Sequence, residues 1–538
     1  MIGADLIIKS LEQEGVEVVF GYPGVAICPF FNSMTNSTIR PVLIRTEQNA
    51  AHAANGLARV TGKVGVCAVT SGPGATNLIT GIATAFADSI PLVCITGQVD
   101  SSLLGSDVFQ EADITGAAES FVKYSYLVRD AEDIPRIFKE AFYIASTGRK
   151  GPVLIDIPID VQNQSVGKFK YPEEVKMRTY KPTVKGNIVQ IRKVARELAK
   201  AKRPVICAGG GVFLADAQKE LISFAEQYQL PVVSTMMGIG SLPSEHPLYI
   251  GMVGNNGNGY ANRAIKESDL LIMVGARVAD RAVNRPDLIL RDKVLVHIDV
   301  DPCEIGKNAG PTIPLVGDAK YIFEDLCKEE VECDHHVWLE TLRLYKETMA
   351  PKPKMDNPYV DPRRFIRMLS QKMDDDGIYV ADVGQNQIWS CHNHVVKKGR
   401  FLTSGGMGTM GYSLPAAMGA KIGCPDRQVV AVCGDGAFQM SMMELATMVQ
   451  HGVEVKMVIL KNGMLGMVRE YQHTTYKDNY VVVDLSGSPD FGKLAEAYGI
   501  DFIRVENMEQ AEAGIDQFLK TKGSVLMECL IDPMDLVK

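Results

Sequence analysis

"VVAVCGDGAFQMSMMELATMVQHGVEVKMVILKNGMLG", Val429–Gly466, decides the fold class of this chain. A continuous apolar run, Val429–Cys433, ends in Gly434-Asp435-Gly436. A helical pattern follows, and a second apolar run through Leu460 delivers Asn462. Such runs, closed by glycine and separated by a helix, read as strands buried on both faces of a parallel sheet. The same alternation recurs in Val64–Phe86, Arg203–Gly211, Ser268–Val278 and Lys293–Asp301. It predicts α/β architecture with helices on both sides of each sheet. Ligands in such sheets bind at the carboxyl ends of strands, where this chain places its glycine-rich turns.

The 538 residues exceed a single core. Two stretches, Gly167–Gly186 and Lys346–Pro362, are charged, proline-containing and aperiodic, and read as linkers. The expectation is three doubly wound parallel-sheet domains over 1–166, 187–345 and 363–538. The first and third both look like ligand-binding α/β units.

A net charge of −8 argues against nucleic acid as the main partner. No apolar run of about 18 residues suggests a membrane span. The N-terminus reads directly as an amphipathic helix and strand, without the parts of a secretory signal. Eleven cysteines without a CxxC pair fit reduced thiols in a cytoplasmic protein. "CKEEVECDHH" (Cys327–His336) and "CHNH" (Cys391–His394) match no common zinc spacing and are read as solvated segments.

Neighbouring parallel strands would set Asp435 and Asn462 side by side. Their two hard oxygen ligands, with a backbone carbonyl near Met464, suit Mg²⁺ carrying phosphate oxygens. Gly434 and Gly436 let the backbone approach a phosphate, and the helix start at Ala437 offers free amides. The alternative is an ordinary strand-end turn. A second stretch, "RTEQNAAHAANGLARVTGKVG" (Arg45–Gly65), places Glu47 at the start of a helix of small residues. One reading is a helix N-terminal acid favoured by the dipole. The spacing Gly406-x-Gly408-x-x-Gly411 is only a nominal dinucleotide fingerprint.

The Mg²⁺-diphosphate pattern resembles the signature of thiamine diphosphate (ThDP) enzymes. The whole chain is similar to the catalytic subunits of the acetohydroxyacid synthase (acetolactate synthase) family. The matching segments run from Val19–Pro29, Arg45–Val66 and Thr70–Ala85 through Pro91–Val99, Gly105–Ile114 and Val122–Val128. They continue through Met236–Gly254, Ala276–Arg281, His297–Asn308, Asp382–Trp389, Ser404–Ala420 and Leu465–Tyr471. The resemblance implies pyrimidine-binding, central and diphosphate-binding domains, in that order.

It also implies roles residue by residue. Glu47 hydrogen-bonds N1′ of the aminopyrimidine, whose 4′ nitrogen removes the thiazolium C2 proton. An apolar setting would raise its carboxyl pKa. The small residues around it would pack closely at a subunit interface beside the cofactor. Gly24 falls in a matching segment of the same domain and is expected to bind the cofactor. Gly408 and Met410 lie beside the aminopyrimidine, and Gly384, Gln385 and Asn386 form a second diphosphate-contacting loop. The family commonly has histidine at Asn386, which puts that contact in doubt. Phe109 and Gln110 reach in from a neighbouring subunit, where Gln110 offers a hydrogen bond to a substrate oxygen. Lys123 matches a lysine near the entrance, with a snorkelling surface lysine as the alternative. Arg277 matches an arginine associated with a carboxylate substrate and a flavin. A surface ion pair with Asp280 is the alternative.

The central segment resembles an FAD-binding domain. Gly209, Gly210 and Gly211 would cradle a diphosphate, and Asp299 and Asp318 match adenosine contacts. The chain departs from the family at Asn255-Asn256-Gly257 and at Val278–Arg281. FAD is expected in a structural role.

Met467 and Tyr471 match the acceptor-selecting positions. The family usually has tryptophan where Tyr471 stands. Tyrosine offers less apolar area and adds a hydroxyl, so the choice of acceptor is open. The resemblance implies decarboxylation of pyruvate through a ThDP ylide and ligation of the hydroxyethyl unit to a second 2-oxoacid, giving 2-acetolactate or 2-aceto-2-hydroxybutyrate. The alternatives are a carboligase with an aldehyde or other ketone acceptor, and a flavin-dependent pyruvate oxidase. The expected partners are a second copy of the chain, as a homodimer or homotetramer, and a small regulatory subunit.

Overall fold

The computed structural model describes residues 1–279, 292–349 and 358–537. Asp280 and Arg281 lie outside them. Three six-stranded parallel sheets follow one another along the chain. The first contains β1 (Val18–Tyr22), β2 (Arg40–Leu43), β3 (Gly65–Val69), β4 (Leu92–Gln98), β5 (Tyr124–Leu127) and β6 (Val153–Pro158). The second contains β7 (Pro204–Ala208), β8 (Val232–Ser234), β9 (Tyr249–Met252), β10 (Leu270–Val274), β11 (Val294–Asp299) and β12 (Ile313–Val316). The third contains β13 (Ile378–Ala381), β14 (Arg400–Leu402), β15 (Val429–Gly434), β16 (Lys456–Lys461), β17 (Asp501–Val505) and β18 (Val525–Leu530).

The apolar runs form strands because both of their faces are covered. In the third sheet Val430, Val432, Val458 and Leu460 enter one core. Their neighbours Val429, Ala431, Cys433, Met457 and Ile459 enter another on the opposite face. That alternation is what a doubly wound sheet requires.

Strand order then locates the binding crevices. The first and third sheets share one order, β2-β1-β3-β4-β6-β5 and β14-β13-β15-β16-β18-β17. The central sheet runs β12-β11-β10-β7-β8-β9, the order of dinucleotide-binding sheets. Each order has a reversal beside its first strand in the chain, and crevices open outside the strand ends there. The points are β1/β3, β7/β10 and β13/β15. Beyond them lie Gly24 and Thr70–Gly74, then Gly209–Gly211 and Gly275–Arg277, then Asp382–Gly384 and Gly434–Gly436.

The small-residue helix Glu47–Thr61 has a different purpose from the one expected. It packs inside the same chain, against the Ser413–Gly423 helix of the third domain. A Cβ on Gly56 would stand 1.9 Å from the Ala416 carbonyl oxygen, and one on Gly419 would stand 1.8 Å from that of Ala53. The two backbones therefore touch, with Ala50, Ala53 and Ala54 fully buried around the crossing. Tyr412 adds a hydrogen bond to Asn55 Oδ1 at 2.8 Å and an edge contact with the His52 ring. Burial pushes the His52 pKa down to about 3. A Gly56→Ala change sets helix propensity against this contact, and the contact wins. The expected cost is about 1–3 kcal/mol, read as a lower melting midpoint. Gly167→Ala, where a Cβ meets nothing within 4 Å, leaves the midpoint unchanged.

The first linker is a strap. Phe169, Met177 and Tyr180 pack on the core of the first domain. The Tyr171 hydroxyl donates to Glu14 at 2.8 Å. The second linker begins later than expected, because the His336–Met349 helix carries through Lys346. "CKEEVECDHH" is not wholly solvated: His335 is buried, with Nδ1 2.9 Å from the Tyr228 carbonyl oxygen. In "CHNH", Cys391 is buried in the Gln385–Asn393 helix. Among the described residues no group of three or more His, Cys, Asp or Glu could hold a metal ion. Nor is any helix there long and apolar enough to cross a membrane.

Candidate active site in two halves

At the third switch point, β15 and β16 pair up to Gly434 opposite Leu460. The next turns therefore leave adjacent strand ends. Asp435 is 1% exposed. Its Oδ2 accepts Gly463 N at 2.8 Å and its Oδ1 accepts Gly436 N at 3.1 Å. Asn462 Oδ1 accepts Met464 N at 3.0 Å. Burial raises the Asp435 pKa to about 6, and these donors and Lys461 only partly offset it. A buried carboxylate so short of positive charge, beside an amide oxygen and a carbonyl-bearing turn, is a donor set that fits Mg²⁺. Around it the backbone is open: a Cβ on Gly434, Gly384 or Gly408 would meet nothing within 4 Å. Gly384 and Gly408 have φ of +118° and +68°, which suit glycine. The Met410 Cε lies 3.7 Å from a Cβ built on Gly436. Ala437 is buried in the short helix that follows.

The Gln385 and Asn386 side chains are committed elsewhere. Asn386 Nδ2 donates to the carbonyls of Asp382 and Val432, tying β13 to β15 where they part. Gln385 Nε2 donates to Glu470 Oε2 at 2.7 Å and to the Asp535 carbonyl at 2.9 Å. The buried Gln385 Oε1 has no partner. It stands 2.1 Å from a Cβ built on Gly466, with Asn462 Nδ2 at 2.7 Å from the same point.

A cleft of about 1000 Å³ runs from this point into the central domain. Gly384, Gly408, Met410 and Met467 line one end, and Gly210, Gly211, Arg277, Asp299 and Asp318 the other. The first domain contributes Asp88, Arg149 and Lys150. Gly209 lies behind the wall, where its Cβ would be 2.2 Å from the Gly275 carbonyl oxygen. It allows the β7 and β10 turns to touch. Burial raises the Asp299 pKa to about 6 and also raises that of Asp318.

Glu47 lies in the other half. It is part-exposed, and its Oε2 accepts Asn77 Nδ2 at 3.1 Å. A Cβ on Gly74 would be 3.4 Å from its Oε1. Gly24 and Gly74 both lie against Thr70, whose buried Oγ1 has no partner. Gln110, at φ +61°, packs its Cβ against Gly72. Phe109 is 87% exposed. The walls of the cleft include Met410 but neither Glu47 nor Gln110. Glu47 and Gln110 thus stand apart from the cleft that Met410 lines.

Lys123 joins neither half. Its ammonium donates to the carbonyls of Ile144 and Thr147 and to the Tyr180 hydroxyl. It fastens the strap, and burial lowers its pKa to about 8. Tyr471 is 58% exposed and stands edge-on to Tyr476. Val468, Val481 and Val482 are exposed on the same domain, and Tyr22 and Val25 beside the first half.

Sequence reasoning passed over Thr70, Asp382, Arg59 and Asp88. Asp88 carried a signal: it is the last residue of the Pro73–Asp88 helix, the end at which the dipole disfavours an acid.

Three family profiles match along the chain: the N-terminal TPP binding domain of thiamine pyrophosphate enzymes over 1–117, their central domain over 191–326, and their C-terminal TPP binding domain over 382–529. The "Probable acetolactate synthase large subunit" of Methanocaldococcus jannaschii is 43% identical, over 99% of this chain and 93% of the relative. The acetolactate synthase large subunit of Corynebacterium glutamicum is 44% identical, over 96% and 84%. That of Haemophilus influenzae is 41% identical, over 97% and 93%. The profiles fall on the three sheets described above, and the likeness spans nearly the whole length. The chain belongs to the acetolactate synthase large-subunit family of thiamine pyrophosphate enzymes.

Proposed function

We propose that the chain condenses two molecules of pyruvate to 2-acetolactate. One pyruvate loses carbon dioxide, one proton is taken up, and a carbon–carbon bond forms to the keto carbon of the other. The observation that carries this is the buried Asp435 beside Asn462 at the third switch point, in a chain of this family. Bound ThDP supplies the electron sink for decarboxylation.

The residues of the chain bind and orient. Asp435, Asn462 and the Met464 carbonyl would hold Mg²⁺, and the backbone at Gly434, Gly436, Ala437 and Gly384 would approach the diphosphate. Gln385 and Asn386 act through their backbone, since their side chains bind protein groups. Gly408 leaves room for the aminopyrimidine and Met410 supports it. Glu47, near Gly74 and Thr70, would hold or share the proton at N1′. Gln110 and Phe109, on the same half, face the substrate. Because Glu47 and Met410 lie in separate halves, the first domain of one copy closes over the third domain of another. A homodimer is then the smallest active unit, and pairs of dimers are compatible with it. The cleft fits FAD: it has the strand order of dinucleotide-binding sheets, glycines at the switch point and two carboxylates for ribose. Met467 and Tyr471 shape the acceptor pocket. The domain limits 1–166, 187–345 and 363–538, the cytoplasmic location and a smaller regulatory partner complete the reading. Lys123 is left to the strap.

The test is product analysis by mass spectrometry, with pyruvate alone and with 2-oxobutyrate or an aldehyde added, while oxygen uptake is followed. The expected product from pyruvate alone is 2-acetolactate, one carbon dioxide per product, without oxygen consumption. Acetate formed with oxygen uptake, or coupling only to the aldehyde, would overturn it.

A further inference from the structure

Gly408 and Met410 sit on the Thr403–Tyr412 loop between β14 and the Ser413–Gly423 helix. One end of the loop is held by its own domain. Asp382, fully buried, accepts Gly411 N at 3.0 Å and Ser413 N at 2.8 Å. The other end is held by the first domain. Asp88, its side chain 0% exposed, accepts Gly406 N at 2.7 Å with Oδ1. Its Oδ2 pairs with Arg59 Nη2 at 2.6 Å. Arg59 Nη1 donates to the Thr403 carbonyl at 2.8 Å. The Thr84 and Thr409 hydroxyls meet at 2.7 Å. Gly406 permits the approach, since a Cβ there would be 2.8 Å from the Ala87 carbonyl oxygen.

A buried ion pair is by itself weak evidence for stability, because desolvation offsets its attraction. Here each member spends a further hydrogen bond on the backbone of one loop. The acid also stands at the helix end that disfavours it. Both facts fit placement better than stabilisation.

We propose that Arg59 and Asp88 are positioning residues that set the loop so that Gly408 and Met410 meet the ThDP aminopyrimidine in the geometry needed for loss of the C2 proton. This rests on the site given under Proposed function. The Glu47–Thr61 helix then serves two active centres. Glu47 at its start faces a second copy, and Arg59, about 18 Å further along the axis, sets the loop of its own chain.

The test uses the full-length enzyme with saturating ThDP and Mg²⁺. Exchange of the C2 proton for deuterium is followed by acid quench and NMR, the ThDP dissociation constant by fluorescence quenching, and the melting midpoint alongside. Asp88→Ala and Arg59→Met are compared with the double variant Arg59→Met/Asp88→Leu. The double variant replaces the pair by apolar groups and guards against a mere folding failure. Exchange is expected to slow about tenfold or more in all three even at saturation. Asp88→Asn, which keeps an acceptor for Gly406 N, falls between them and wild type. Met410→Ala is the control for the site itself. If Met410→Ala slows exchange while the pair variants exchange at the wild-type rate, the pair is only structural and the proposal is overturned. If Met410→Ala also exchanges at the wild-type rate, the site reading fails and takes the proposal with it.

Discussion

Glu47→Gln is expected to lower 2-acetolactate formation about 10³-fold and to slow exchange of the C2 proton of bound ThDP by a similar factor. The melting midpoint should barely move. Glu47 is part-exposed and bonded to Asn77 Nδ2, and a glutamine oxygen keeps that bond. What the amide cannot do is hold and return a proton at N1′. The effect therefore falls on kcat, while the affinity for pyruvate changes little. A variant that exchanges the C2 proton at the wild-type rate would return Glu47 to the role of a helix-end acid.

Asp435→Asn is expected to abolish the stabilisation by Mg²⁺ and ThDP together, and to lower activity by a factor of about 10² or more. The pH dependence gives this prediction its shape. Burial raises the Asp435 pKa from the ordinary 3.8 to about 6. Between these values the folded chain binds more proton than the unfolded one, so the contribution of this group to stability falls as pH rises. Above about pH 6 the full cost is present, about 3 kcal/mol without a cation. A divalent cation offsets it, so the gain in melting midpoint on adding Mg²⁺ and ThDP is larger at pH 7.5 than at pH 5. At 100 times the dissociation constant the ligand stabilises by about 2.7 kcal/mol. An Asp435→Asn enzyme that still gains stability from Mg²⁺ and ThDP would place the metal elsewhere.

The sequence could be read where chemistry is local. Gly434-Asp435-Gly436 and Asn462 are each placed by the strand immediately before them, and the strands announce themselves by their apolar runs. The glycine turns of the central sheet are local in the same way. Contacts between distant segments were out of reach. Nothing near Gly56 names Ala416 as its neighbour, so the sequence points the small-residue helix to a subunit interface rather than to its own third domain. Lys123 has the composition of an entrance lysine, but Tyr180, in an aperiodic linker, takes its ammonium inward. By position Gln385 and Asn386 read as diphosphate contacts. Their side chains are drawn off by Glu470, Asp535 and the parting strands. Strand order, which explains why the glycine turns gather at three points, is a property of the folded sheet.

We propose that Glu47 of one copy and Asp435 of another act on one cofactor to make 2-acetolactate. Two tagged chains, Glu47→Gln and Asp435→Ala, each inactive as a homodimer, can be co-expressed and the hybrid isolated through both tags. The hybrid contains one intact centre and one doubly impaired centre. The expected result is about half of the wild-type rate of 2-acetolactate formation per dimer. A hybrid as inactive as its parents would contradict the account, because it would place both residues of each working centre within a single chain or outside the centre altogether.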